Sequence, residues 1–418
     1  MVTTGDDANL VTVSLVHQAI GVVDATGPKA RKAMDDTLNN LLAALRYGLE
    51  YGDIVRRQRG RSLDALGFGP IETPSRLVCA WPGAELRAYG ETGRACPQSA
   101  DAALLIVPAP IKQAYIWDIA PEVSVVRRAL EAGLRVYLIR WIAPGWDAAA
   151  DRDEGLAAYA DRFIAQSLDA MDAESGGGPG AVPAILAGHS LGGTLGAIFT
   201  ALHPQRIKGL VLLEAPLSFA GVAASAFAPW MQCAPPAEAI VAALGGRVPG
   251  SFLNLVSATA APDAFQWERW QDAVKSLSDP SALRLHLRVE RWTLDEFALP
   301  GRLFTEVVEY LYREDRFARA KLNVGGRLAT PANITTPVLA VFDPRSRVVA
   351  PGSIVPFIEF LSARTNARAL SYDGGDTGVA LQHVGALVGR NAHRRLWPII
   401  LDWVSRHGKG VSAKGHEP

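Results

Sequence analysis

The amino-acid sequence predicts an α/β fold built on a mainly parallel eight-stranded sheet with helices on both of its faces. From about residue 75, short β-rich segments alternate with helical ones, which is typical of a parallel sheet with helical crossovers. The chain has 418 residues, of which 49% are hydrophobic, so it can bury a large core. We therefore expect one large sheet with insertions rather than several small domains.

The predicted strands begin with a hairpin and continue as single segments separated by helices. The eight strands cover residues 77–81, 86–89, 103–107, 135–141, 182–187, 209–213, 336–342 and 368–372. The helices between and after them cover residues 121–133, 153–171, 191–203 and 391–407.

Two further segments flank and interrupt this sheet. Residues 1–74 form a predicted N-terminal helical extension, in which 29–59 is the clearest amphipathic part. Residues 75–214 and 331–418 form the two parts of the core, and residues 215–330 form a helical cap inserted after the sixth strand. The insertion is rich in tryptophan, which fits either a core or an acyl-binding pocket. The tryptophans are Trp230, Trp267, Trp270 and Trp292.

A glycine-flanked serine follows the fifth strand. The segment 188–192 has the sequence Gly-His-Ser-Leu-Gly and separates an apolar strand from a helix-forming segment. In this context the pattern is that of a nucleophile elbow, in which Ser190 occupies a sharp turn and small neighbours permit close packing. The helix N-terminus that follows favours the negative charge that develops during attack. Together with the eight strands, the motif predicts the α/β-hydrolase fold with Ser190 as nucleophile.

A serine hydroxyl needs a base, and the chain has eight histidines. His383 lies between the eighth strand and the last helix, in a predicted loop, where this fold places its base. His189 lies inside the elbow, and we expect its side chain to point away from the attack site. The remaining histidines fall at positions that the topology does not favour. They are His17, His203, His286, His393, His407 and His416.

The acid that orients the base is less clearly marked. It usually follows the seventh strand, and Asp343 directly follows the predicted strand 336–342. Asp373 and Asp376 are nearer to His383 in sequence but follow the eighth strand. Glu214, after the sixth strand, occupies a less common position for the same role. Asp343 is the first choice, and the other three remain alternatives.

The oxyanion hole is predicted from position. One donor is the backbone N–H of Leu191, and the second comes from the loop after the third strand. Pro108 and Pro110 in that loop have no N–H, so Ile111 or Ala109 must donate, and we choose Ile111.

Several separated segments resemble the polyhydroxyalkanoate synthases, over about residues 75–405. The resemblance implies an α/β-hydrolase fold and a hydroxyacyl substrate, with coenzyme A present only as its carrier. The matching segments are 104–111, 115–118, 292–295, 299–301, 327–337 and 383–385.

The chain departs from that family at two positions. The polymerising members have cysteine as nucleophile, where this chain has Ser190. Their acid lies in an Asp-His-x-Val-Pro segment, and the corresponding 346–349 here begins with Ser346. Serine forms an oxyester and requires its base, which favours loss of the acyl group to water or to a hydroxyl acceptor.

Three hypotheses follow for the function. The first is a serine hydrolase of hydroxyacyl esters, oligomers or thioesters. The second is a polyhydroxyalkanoate synthase or acyltransferase that uses hydroxyacyl-coenzyme A. The third is a non-catalytic scaffold or granule-associated protein that lost its acid, and a carboxylate behind His383 would argue against it.

Composition excludes several other classes. Lysine plus arginine equals aspartate plus glutamate at 42 each, which gives no electrostatic reason to expect nucleic acid. We expect no membrane span, no resident cofactor and no metal site, and a cytoplasmic location that suits three scattered cysteines. A homo-oligomer is possible. The cysteines are Cys79, Cys96 and Cys233.

Overall fold

The computed structural model describes residues 28–90, 102–143, 154–219, 225–376 and 382–408. The predictions for residues 1–27, Cys96 and His416 lie outside the described residues. No helix in the described ranges is both long enough and apolar enough to cross a bilayer.

Twelve strands are present in the described part of the chain. Eight of them form one sheet, and the other four form two short two-stranded antiparallel sheets, β7 with β8 and β9 with β10. In chain order they are β1 (Ser75–Trp81), β2 (Ala84–Tyr89), β3 (Ala103–Val107), β4 (Arg135–Trp141), β5 (Ala184–His189), β6 (Gly209–Leu213), β7 (Arg247–Val248), β8 (Leu299–Pro300), β9 (Leu322–Val324), β10 (Arg327–Ala329), β11 (Val338–Phe342) and β12 (Ala367–Ser371).

The large sheet has the order β1-β2-β4-β3-β5-β6-β11-β12. The β1–β2 and β2–β4 pairs are antiparallel, and all other pairs are parallel. This confirms the predicted α/β-hydrolase fold. The fifth strand ends two residues later than predicted, at His189, because its ladder with β6 continues to the pair His189–Leu213.

The central strands β3, β5 and β6 are buried on both faces, as the middle of a parallel sheet must be, whereas the edge strands β1 and β12 are partly exposed. Alternate residues of β3 enter opposite cores: Leu105 packs in one apolar cluster, whereas Leu104 and Ile106 pack in the other. The helices that cover the sheet and form the insertion follow in chain order. They are Pro28–Ala65, Val125–Glu131, Phe163–Glu174, Leu191–Leu202, Phe227–Cys233, Ala237–Ala243, Gly250–Ala260, Arg269–Ser276, Pro280–Thr293, Gly301–Glu306, Val355–Ser362, Gln382–Val388 and Trp397–Gly408.

Shorter helical turns complete the described structure. The π-helical turns are Ala158–Arg162, Asp263–Glu268, Val307–Arg313 and Ala392–Leu396, and the 3₁₀ turns are Ala114–Asp118, Pro121–Val123, Pro331–Asn333 and Pro351–Ser353. The insertion is therefore mainly helical, as predicted, but it also contains β7, β8, β9 and β10, which the sequence prediction missed because they are two or three residues long.

The N-terminal helix Pro28–Ala65 is fixed to the inserted segment by polar contacts. Asp53 Oδ1 accepts a hydrogen bond from the Ser251 N–H at 2.7 Å, and Arg56 Nη1 donates to the Leu294 carbonyl at 3.0 Å. Arg291 Nε lies 2.7 Å from Asp64 Oδ1. The division of the chain into an extension, a two-part core and a cap remains a prediction.

Candidate active site

Ser190 sits in a strained turn between β5 and the helix Leu191–Leu202. Its backbone has φ 54° and ψ −134°, a conformation that L-residues rarely adopt. The Ser190 N–H donates to the Leu213 carbonyl at 2.9 Å, and its carbonyl accepts from the Gly193 N–H at 2.9 Å. These bonds hold the turn, and such strain in a bounded turn is typical of functional sites.

The glycines beside Ser190 are required by close backbone approach. A Cβ at Gly188 would lie 2.6 Å from Gly193 Cα, and a Cβ at Gly192 would collide with the Val107 carbonyl oxygen. Any larger residue would therefore push the elbow away from β3 or from the first turn of its own helix. The local packing thus shows a tight strand-to-helix turn at Ser190, whereas the role of Ser190 as nucleophile remains a prediction.

Ser190 borders an apolar cavity of about 200 Å³. One wall comes from the ends of β3 and β5, and the other comes from the inserted segment. Its apolar surface suits an acyl chain more than a charged ligand. The large, mostly apolar residues of the insertion in its lining are Phe227, Met231, Leu253, Val256, Phe265, Trp292, Leu299, Phe304, Val307, Val308 and Tyr312.

His383 lines the same cavity as Ser190. It is the second residue of the helix Gln382–Val388, so the expectation that it lies in a loop is wrong. The physical reason is that the segment after it, from Val384 onward, buries apolar side chains against the sheet and coils to do so. Burial, followed by the nearby His189, holds the pKa of His383 well below its usual value, so the ring is neutral.

His189 lies against His383, which corrects the expectation that its side chain points away. Its Nε2 donates to the His383 carbonyl oxygen at 2.6 Å, and the two ring centroids are 4.6 Å apart. Burial lowers the pKa of His189 to about 4, so this ring is also neutral. The sequence placed His189 inside the elbow but gave no sign of this contact. Only the packed structure shows that His189 supports the segment that carries His383.

The structure does not place a described carboxylate on His383. His383 Nδ1 is buried and has no hydrogen-bond partner among the residues described. Asp343 instead accepts from the Arg345 N–H at 2.8 Å, and its Oδ1 lies 3.6 Å from Arg345 Nε. Asp373 pairs with the Arg345 guanidinium. Ser190 and His383 therefore share a cavity, whereas the predicted acid lies outside its lining.

Asp376, the other alternative after the eighth strand, binds the start of the helical turn Ala392–Leu396. Its Oδ1 accepts from the Asn391 N–H at 2.7 Å, and the Tyr372 hydroxyl lies 3.4 Å from its Oδ2. Burial raises its pKa above the usual value. These contacts give it a local structural role.

Glu214 is the most unusual carboxyl group of the region. It follows β6 with φ 45° and is 2% exposed. One oxygen accepts from the Asp343 N–H, whereas Oε2 is buried with no partner among the described residues. Burial, and then the charge of Asp343, raises the pKa of Glu214 to about 8.

Glu214 and Asp343 line a second cavity, of about 300 Å³, together with Asp376 and Gly385. Gly385 is two residues after His383, so the carboxyl groups face the helix that carries His383. The Ser346 side chain lies near Glu214, where it partly offsets the rise in the pKa of this carboxyl group. Glu214 thus lies beside the residue that stands at the family's usual acid position.

The predicted oxyanion residues both border the first cavity. Leu191 is the first residue of the elbow helix, and Ile111 lines the cavity next to Ala109 and Pro108. The Ile111 carbonyl accepts from the Phe297 N–H at 3.1 Å, which ties this loop to the inserted segment. Their role as donors remains a prediction. Among the described residues, no cluster of three or more His, Cys, Asp or Glu could hold a metal ion.

The fold and the turn at Ser190 indicate an α/β hydrolase, and comparison with known protein families gives the same class. The family model for the alpha/beta hydrolase fold matches residues 103–336, more than half of the chain. The chain therefore belongs to the α/β-hydrolase fold family, and it is an enzyme.

Within that family it is similar to polyhydroxyalkanoate polymerase subunits. Poly(3-hydroxyalkanoate) polymerase subunit PhaC of Haloarcula marismortui is 27% identical over 85% of this chain and 72% of its own length. The subunit of Allochromatium vinosum is 26% identical, over 74% of this chain and 82% of that protein. The chain is thus a PhaC-like α/β hydrolase.

Solved structures of similar fold include two from Burkholderia. A putative aryl esterase from Burkholderia cenocepacia is 15% identical, with a TM-score of 0.44, over 80% of this chain and 99% of that one. The enol-lactonase from Burkholderia xenovorans LB400 is 15% identical, with a TM-score of 0.47, over 79% of this chain and 100% of that one.

Proposed function

We propose that this enzyme hydrolyses hydroxyacyl esters or thioesters through an acyl-enzyme on Ser190. The observation that carries the proposal is the strained Ser190 elbow, which shares an apolar, acyl-sized cavity with the neutral imidazole of His383. The relatives named as polyhydroxyalkanoate polymerase subunits support the choice of a hydroxyacyl group.

The proposed reaction has two steps. In the first, His383 takes the Ser190 Oγ proton while Oγ attacks the acyl carbonyl carbon, and the leaving group departs with that proton. The N–H groups of Leu191 and Ile111 stabilise the oxyanion. In the second, His383 takes a proton from water, the hydroxide attacks the acyl-serine, and the acid product leaves as Ser190 regains its proton.

Acyl transfer is the second candidate function, and the relatives favour it. A synthase would pass the acyl group to a hydroxyl acceptor instead of water, with hydroxyacyl-coenzyme A as donor. A cysteine nucleophile exchanges acyl groups with other thioesters at little change in free energy. Ser190 forms an oxyester instead and lacks this exchange, which favours hydrolysis. The non-catalytic hypothesis is motivated by the unpaired Nδ1 of His383.

One experiment separates these candidates. The purified protein is given p-nitrophenyl butyrate and 3-hydroxybutyryl-coenzyme A in parallel, and free acid, free coenzyme A and polymer are measured. We expect free acid from both substrates and no polymer. Polymer formation that Ser190→Cys increases would instead support the synthase, and no product from either substrate would support the non-catalytic protein.

The third member of the triad is proposed to come from the Asp343–Glu214 pair. Asp343 is the residue that chain order predicts, but its carboxylate is engaged by Arg345. Glu214 has an unused buried oxygen, and His383 has an unused buried nitrogen. An unpaired buried acceptor and an unpaired buried donor are each costly, and a bond between them would remove both costs. We therefore favour Glu214.

Glu214→Gln is expected to lower kcat/KM on the order of 10²-fold, because an amide cannot stabilise the imidazolium that forms.

The pH profile of the wild-type enzyme gives a second prediction. The carboxylate form of Glu214 is the active one, so kcat/KM should rise with pH through about 8, the raised pKa of Glu214. His383, with its lowered pKa, stays neutral across this range and does not set the profile.

Asp343→Asn is the matched control for Glu214→Gln. It makes the same change, carboxylate to amide, in the neighbouring residue. Asp343→Asn should lower kcat/KM less than Glu214→Gln does, and the rise of kcat/KM with pH should still follow the ionisation of Glu214. A larger loss in Asp343→Asn would return the role to the residue that chain order predicts. Thermal unfolding of both variants separates loss of activity from loss of fold.

A further inference from the structure

A buried ion pair faces the apolar cavity beside the reaction site. Lys112 Nζ lies 2.8 Å from Glu296 Oε1, and both residues line the cavity that Ser190 borders. Their backbones also meet in an isolated antiparallel bridge. Charged groups in an apolar lining are costly, so their presence calls for a functional explanation.

Each member of the pair has one hydrogen-bonding position left over. Lys112 Nζ has three N–H groups, and it donates to Glu296 and, at 2.9 Å, to the Thr293 carbonyl. Glu296 is 5% exposed, and its Oε2 has no hydrogen-bond partner among the described residues. Arg56 Nη1 is 3.5 Å from that oxygen, beyond good hydrogen-bond geometry.

The pair is held in place from both sides. Lys112 Nζ lies 5.1 Å from the centre of the Trp292 ring. Arg56, on the N-terminal helix, is anchored by Asp53 at 2.6 Å and by the Leu294 carbonyl at 3.0 Å, which fixes it next to Glu296. Groups fixed in this way lose little freedom when a ligand binds, so a ligand can use them at low entropic cost.

The unused donor and the unused acceptor fit a hydroxyl group. A hydroxyl donates one hydrogen bond and accepts others, so it can bond Glu296 Oε2 and Lys112 Nζ together. An anionic group could accept from Lys112 but could not donate to Glu296 Oε2, and a plain hydrocarbon would leave both positions unsatisfied. Lys112 directly follows Ile111, the proposed oxyanion donor, and consecutive Cα atoms are about 3.8 Å apart. The hydroxyl would therefore bind in the same cavity as the acyl carbonyl.

We propose that Lys112 and Glu296 bind a hydroxyl group on the acyl chain and make the enzyme selective for hydroxyacyl over unsubstituted acyl substrates. This assignment rests on the proposed function, because it places the acyl group in the Ser190 cavity. It makes the pair a specificity determinant that takes no part in the bond-breaking step.

The test compares 3-hydroxybutyryl-coenzyme A with butyryl-coenzyme A, which differ by the hydroxyl alone. Binding is measured by calorimetry on Ser190→Ala protein, so the result does not depend on turnover. We expect the hydroxylated thioester to bind about 10-fold or more tightly, as for a hydrogen bond to a charged group. Equal binding, or binding of neither thioester, overturns the assignment even if wild type is an active esterase.

The same comparison is made on two further proteins in the Ser190→Ala background. The first is Glu296→Gln, which leaves Lys112 buried without its counter-charge and can therefore destabilise the fold. The second is Lys112→Met/Glu296→Leu, which removes both charges and so avoids the cost of a buried unpaired charge. In both, the ratio of the dissociation constants of the two thioesters should fall towards one. The control Glu309→Gln, a glutamate paired with Arg313 outside this cavity, should keep the preference. A preference retained without the pair overturns the proposal.

Discussion

Replacing Ser190 by alanine is expected to reduce kcat/KM for p-nitrophenyl butyrate by about 10⁴-fold or more. The elbow is held by two backbone hydrogen bonds, from the Ser190 N–H to the Leu213 carbonyl and from the Gly193 N–H to the Ser190 carbonyl, which do not involve the serine hydroxyl. The variant should therefore fold and bind substrate as wild type does while lacking the nucleophile. The expected signature is a loss in kcat with little change in the unfolding temperature.

The matched control is Ser167→Ala. Ser167 is buried, and its hydroxyl donates to the Phe163 carbonyl at 2.7 Å, within a helix away from the cavity. A fluorophosphonate should label wild type and Ser167→Ala, but not Ser190→Ala, by mass spectrometry. Equal activity in the two variants would remove Ser190 from the mechanism and leave the cavity as a binding site.

Replacing His383 by alanine is expected to cost a similar factor, about 10⁴-fold in kcat/KM, because the serine hydroxyl is then without a base. Ser190 and His383 act on one proton, so their losses should not add. The double variant Ser190→Ala/His383→Ala is expected to be about as inactive as either single variant. Steady-state kinetics on the three proteins measures this.

His203→Gln is the control for His383. His203 lies at the end of the elbow helix, with its Nε2 2.7 Å from Asp161 Oδ1, outside the cavity lining. It should retain activity within a few-fold of wild type. Additive losses in the double variant would mean that His383 acts on stability or substrate binding and that another group activates the serine.

Much of the fold was predictable from local signals. Strands β3, β4 and β6 begin and end at the predicted residues, because each is a short, strongly apolar segment between turn-forming residues. The nucleophile elbow was predictable for a similar reason, since its glycines and serine occupy five consecutive positions. β5 was misjudged at its end, where pairing with β6 extends it through His189.

The surroundings of His383 could not be predicted in the same way. That His383 lies in the first turn of a helix, and that His189 packs against it, depends on contacts between segments about 190 residues apart in the chain. The same holds for Glu214, whose buried oxygen and left-handed backbone acquire meaning only beside Asp343 and Ser346. Chain order favoured Asp343 because it follows the seventh strand. The contact of its carboxylate with Arg345 is visible only in the structure.

The sequence by itself determined the α/β-hydrolase fold, and it singled out Ser190 as the candidate nucleophile and His383 as the candidate base. Each of these depends on residue types at short spacing or on strand order, which local composition encodes. Only the tertiary structure decided which side chains share the Ser190 cavity, that Lys112 meets Glu296 there, and which buried polar atoms lack partners. Those are properties of distance and burial between remote segments, and they arise only when the chain is packed.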